Sequence, residues 1–163
     1  MSCDIHLVLE MKAPDEEKWI GVHAFPWLEK SQLYLSVYGP EQDPNDYHVG
    51  WRVKSRDYEL FAELARVRGE TDTSMEPRGI PKDISELGKH CVDDWNGDGH
   101  SHTYMSILEF TQCFLRTRDE NEKIEHVKSK LTGPDPAIER ASELFGVDTD
   151  RLDWYRLIIF FDN

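Results

Sequence analysis

Eleven consecutive residues, Asp93-Asp94-Trp95-Asn96-Gly97-Asp98-Gly99-His100-Ser101-His102-Thr103, hold three carboxylates, two imidazoles, an amide, two hydroxyls and two glycines. Asp and His bind metals or move protons, and glycine lets a ligand come close to the backbone. A calcium reading is partial. Asp94, Asn96, Asp98 and Gly99 match the opening half of an EF-hand loop, but the closing position falls on Met105, which has no carboxylate. A transition-metal reading places His100 and His102 on one face of an extended segment, because residues i and i+2 share a face there. Asp4 and His6 repeat that spacing near the N-terminus. With Asp98 they form a His/carboxylate set, Asp4, His6, Asp98, His100 and His102, that suits a divalent transition metal. The condition is that the two segments lie side by side.

An anion reading needs no metal. Arg78 sits in the stiff run Glu76-Pro77-Arg78-Gly79-Ile80-Pro81 and can offer a planar guanidinium to a phosphate. Amides of Gly97 and Gly99 can form an anion nest. His100, Ser101 and His102 add hydrogen-bonding groups, and Trp95 can stack on a base. Nucleophilic catalysis has little support, since Ser101 lacks a nucleophile-elbow motif.

These residues need elements to position them. Residues 3–11 alternate apolar and polar and predict a strand with Ile5, Leu7 and Leu9 facing the core. Residues 18–25 predict the returning strand of a hairpin, and 32–38 and 49–53 two further strands. A helix is expected over 56–68, capped by Ser55 and ended by Gly69. Asp83 with Glu86 reads as a capping box opening a short helix towards Val92, and Ser106 with Glu109 as a second one, opening a helix to about Arg118. Between them, 102–105 reads as extended. The charged segment 119–130 reads as a solvated helix or an excursion. Asp135-Pro136 starts a last helix that Gly146 ends. Arg156–Phe161 is nearly all apolar and predicts a central strand buried on both faces. Strands at both ends and helices between them imply one α+β domain over residues 1–163, with a mixed or antiparallel sheet.

Composition narrows the function. Nineteen Lys and Arg against 32 Asp and Glu give a formal net charge of −13, which disfavours nucleic-acid binding. An acidic surface leaves docking onto a basic protein, and self-association, as open partner classes. Cys3, Cys91 and Cys113 are odd in number and without CxxC spacing, which suits a reducing cytoplasm. No segment has the length of a membrane span, and the start lacks the basic region of a signal peptide.

Several motifs occur together. They are Cys3-Asp4-Ile5-His6, Ser55-Arg56-Asp57-Tyr58, Glu76-Pro77-Arg78-Gly79, Asp98-Gly99-His100-Ser101-His102 and the Phe161-Asp162-Asn163 terminus. In these the chain resembles an uncharacterised family of small proteins encoded by bacteriophages and prophages. The resemblance implies a phage accessory role, and counter-defence is the expectation built on it. The leading expectation is a protein that binds a small anionic, nucleotide-derived ligand and sequesters a host defence signal. The alternatives are a metal-dependent phosphoesterase using His6, His100 and His102, and an acidic protein inhibitor of a host factor.

Overall fold

The structure is a computed structural model and describes residues 3–25, 56–95, 97–118 and 136–162. The expected strands at 32–38 and 49–53, the Ser55 cap, Asn96, the 119–130 segment and Asp135 lie outside the described residues. Four strands, β1 (Ile5–Met11), β2 (Ile20–Phe25), β3 (His100–Ser106) and β4 (Tyr155–Phe161), form one antiparallel sheet in the order β2-β1-β4-β3. As its unbroken apolar sequence predicts, β4 is central, pairing with β1 from Ile5↔Phe161 to Met11↔Tyr155. The helices are α1 (Tyr58–Ala65), α2 (Glu86–Asp94), α3 (Ile107–Arg116) and α4 (Pro136–Phe145), with a 3₁₀ turn at Thr149–Trp154. This is the expected α+β architecture.

One face of the sheet carries Ile5, Leu7, Leu9, Leu157, Ile159 and Phe161 and packs against α1, α3 and α4. Phe61 of α1 meets Phe161 edge-on with centroids 5.0 Å apart. The β1 alternation predicts a solvent-facing side for His6, Val8 and Glu10, and here the structure differs. All three are buried, because α2 covers that face and builds a second apolar layer of Val8, Ala24, Leu87, Cys91, Ile158 and Phe160. Gly21 makes this approach possible: a Cβ there would lie 2.3 Å from Leu87 Cβ.

Burying Glu10 requires complete pairing. Its Oε1 accepts the Ser85 N–H at 2.7 Å and its Oε2 accepts Arg156 Nε at 2.6 Å. Arg156 also donates to Asp83 Oδ1 at 2.8 Å and to the Asp83 carbonyl at 3.0 Å, and lies 4.0 Å above the Trp19 ring. Hydrogen bonding to Arg156 holds the Asp83 carboxyl below its ordinary range. Asp83 is therefore an ion partner, and the N-cap of α2 is Ser85, which accepts from Gly88 N.

Two other helix ends differ from expectation. Asp57 caps α1 by accepting from Leu60 N at 3.2 Å, and Arg66 in the left-handed region (φ 57°) ends it, three residues before Gly69. The Ser106–Glu109 capping box forms as expected, and Gly146 (φ 65°) closes α4 by bonding to Ser142 O.

Candidate functional site

β3 does not run straight through its histidines. His100 pairs with Phe161 and Thr103 with Ile159, so one β4 residue faces two on β3. Ser101 makes this bulge by adopting φ 51°, a left-handed conformation that costs a non-glycine residue roughly 1–2 kcal/mol. Backbone bonds on either side hold it. Gly79 N donates to His102 O at 2.8 Å, Arg78 N to Thr103 Oγ1 at 3.1 Å, and Gly99 N to Trp95 O at 2.7 Å.

The extra residue reverses the expected facing of the imidazoles. His100 lies over Phe161 at 6.3 Å, while His102 stacks on Phe160 at 5.6 Å. Phe160 and Phe161 are adjacent in a strand and point to opposite faces. His100 and His102 therefore lie on opposite faces of the sheet. Among the described residues, no three of His, Cys, Asp and Glu come close enough together to hold a metal ion. Asp4, His6, Asp98, His100 and His102 are thus not gathered into one ligand set; the i, i+2 rule fails at the bulge, and Asp98 is exposed.

The structure does bring His6 and His102 together. Strand register sets His6 opposite Phe160, and the rings stack at 4.8 Å and 7°. Trp95, the residue that ends α2, packs on His6 at 4.4 Å. Trp95, His6, Phe160 and His102 thus form one continuous row beyond the end of α2. Burial pushes the His6 pKa down, against the opposing hydrogen bond and charge of Asp162 and the charge of Asp4. His102 is pushed down by burial and by the neighbouring His100. The His100 Nδ1 lies 2.9 Å from Ser101 Oγ, and its buried Nε2 has no hydrogen-bond partner among the described residues.

Arg78 is not the expected free anion clamp. Its Nη2 and Nη1 donate to the two Glu109 carboxylate oxygens at 2.6 and 3.2 Å, and Nη1 also donates to Tyr104 O at 3.0 Å. The Pro77–Gly79 segment lies along the outer edge of β3 and covers it. Nor is the Gly99 amide available for a nest, since Trp95 O accepts it. Gly97 has φ 102° and forms the turn that leads into β3.

A more exposed guanidinium, that of Arg56, occurs elsewhere. Arg56, Asp57, Tyr58, Glu59, Thr117 and Arg118 line a cleft of about 300 Å³ between the start of α1 and the end of α3. Arg118 is fixed there by Asp57 Oδ2 at 2.5 Å and lies 4.1 Å over Phe114. Arg56 has its side chain 58% exposed. Its Nε and Nη2 donate to the Asp4 carboxylate at 2.9 and 3.3 Å. From there the polar chain continues inward. Asp4 N donates to Asp162 Oδ1 at 2.8 Å, and His6 Nε2 lies 3.2 Å from Asp162 Oδ2. The cleft is thereby linked to the imidazole row through Asp4 and Asp162.

Compared with protein-family models, curated proteins and solved structures, the chain matches none of them. The site must be read from its own geometry. Sequence reasoning assigned no role to Arg56 or Asp162. For Asp162 the local signal is a carboxylate directly after an apolar central strand.

Proposed function

We propose that this chain is a binding protein for a small anionic, nucleotide-derived ligand, with the cleft of Arg56, Tyr58, Thr117 and Arg118 as its site. The observation that carries this reading is Arg56. It lines the cleft, is more than half exposed, and is held in one orientation through two of its three nitrogens. Asp4 takes its Nε and Nη2, which leaves Nη1 outside that pair. A preordered guanidinium loses less entropy on capturing a phosphate than a free one. The Tyr58 ring, 42% exposed, offers an aromatic surface for a base. A volume of about 300 Å³ lies at the lower end of small-ligand sites, which fits a single nucleotide.

The net charge of −13 opposes non-specific anion binding, so the cleft must work through local contacts. In the phage setting that the sequence resembles, such a protein acts in the host cytoplasm and sequesters a signal molecule without turning it over. No helix among the described residues is long and apolar enough to cross a membrane. The test is to denature the purified protein and analyse the released small molecules by mass spectrometry. Sequestration gives an intact phosphorylated compound in near-stoichiometric amount, and its loss in Arg56→Gln. Recovery of a hydrolysed product contradicts pure binding.

A further inference from the structure

We propose that an anion entering the Arg56 cleft is coupled to proton uptake at His6, through Asp4 and Asp162. The proposal rests on the binding reading above and adds its regulation by pH. The path is short and continuous. Arg56 reaches Asp4 at 2.9 Å, Asp4 N reaches Asp162 at 2.8 Å, and Asp162 reaches His6 at 3.2 Å.

The Arg56–Asp4 pair is the link that the anion reaches. Its side chains are 58% and 25% exposed, so the pair is open to solvent and to solutes. A phosphate or sulfate at Nη1 shares the guanidinium with Asp4, which keeps Nε and Nη2. As the anion draws on the guanidinium charge, the Asp4 carboxylate is less fully compensated. Two carboxylates, Asp4 and Asp162, then act on the same imidazole. A proton on His6 restores the local balance.

The surroundings of His6 leave few other ways to do so. Asp4 acts from β1 and Asp162 from the end of β4. His102 faces the other side of Phe160 from β3, with His100 beyond it on the opposite face. Trp95 closes the α2 side with an apolar ring. In the free protein burial lowers the His6 pKa against the opposing pull of the two carboxylates. Added negative charge at Asp4 works in the direction that burial opposes. By linkage, a ligand that raises the proton affinity of His6 is itself bound more tightly by the protonated protein.

The probe is sodium sulfate, which carries no proton of its own across this range, used at constant ionic strength with chloride as the exchanged ion. Sulfate affinity is measured by calorimetry at pH 5.5 and 7.5, and the His6 ring resonances are titrated with and without sulfate. The expected result is affinity about fivefold tighter at pH 5.5, a typical size for coupling between two sites. The His6 midpoint is expected to move to higher pH when sulfate is bound. Acidification also reduces the overall negative charge, which strengthens anion binding in every variant alike. His6→Gln is therefore the reference: it is expected to bind sulfate at pH 7.5 as the unmodified chain does and to lose the extra gain at pH 5.5. Asp4→Asn is expected to lose that gain as well. Sulfate binding with the same pH dependence in His6→Gln overturns the coupling and leaves the binding reading intact. Absence of sulfate binding at both pH values, in a protein that unfolds cooperatively, overturns both.

Discussion

Replacing Glu10 by Ala tests how α2 is held on the sheet. Glu10 is fully buried, with Ser85 N–H on one oxygen and Arg156 Nε on the other. The substitution removes an acceptor from the first turn of α2 and one of two carboxylates from Arg156. Breaking a buried pair typically costs 3–5 kcal/mol. Asp83 still neutralises Arg156 here, so the lower end, about 3 kcal/mol, is expected. For a chain of this size that corresponds to a fall in Tm of roughly 6–12 °C. Glu10→Gln keeps an oxygen for Ser85 N–H and is expected to lose about half as much, on the order of 1.5 kcal/mol. The double variant Glu10→Met/Arg156→Met removes both charges and is expected to recover much of the loss, since apolar replacement of a buried pair is often neutral. Urea unfolding followed by circular dichroism reads all three, with an unchanged m-value showing that the unfolding transition is the same. A Glu10→Ala protein within about 1 kcal/mol of the unmodified chain would mean that Glu10 is not buried against Arg156.

Two further perturbations follow from the same packing. Gly21→Ala puts a methyl group 2.3 Å from Leu87 Cβ, and overpacking of this kind is expected to cost about 1–3 kcal/mol in urea unfolding. His6 and His102 have folded pKa values below the ordinary histidine range, so between the folded and unfolded values the unfolded chain binds more protons. Their contribution to stability is complete above about pH 6.5 and is lost as pH falls below it, before carboxylates titrate. Thermal unfolding from pH 7.5 to 5 is expected to show this decline, and it is expected to flatten in a His6→Gln/His102→Gln double variant.

Much of the fold was legible from apolar patterning. Arg156–Phe161 has no polar alternation, and a strand without alternation is buried on both faces. The Ser106–Glu109 capping box and the Gly146 stop were likewise written in local chemistry, which needs no long-range contact to form. What was not legible depends on tertiary packing. Nothing near Glu10 announces that α2 will cover it, because its partners, Ser85 and Arg156, are 75 and 146 residues away. The imidazole pair failed for a backbone reason. One serine at positive φ shifts the register and sends His100 and His102 to opposite faces, and a serine carries no sequence signal for that conformation. That Arg78 pairs with Glu109 is not legible locally, because Glu109 lies 31 residues on, in a cap whose carboxylate already has a role. Sequence reasoning did bring His6 and His102 into one proposal, and the register of β1, β4 and β3 sets both against Phe160.

Whether Arg56 anchors a small anion is decided by calorimetric titration of pyrophosphate at pH 7.5 into the unmodified chain and Arg56→Gln. One site per chain is expected, with affinity falling about tenfold or more in the variant, the scale of one lost charge-assisted hydrogen bond. Equal affinity in the two proteins, or no heat in either at millimolar pyrophosphate, contradicts that role for Arg56.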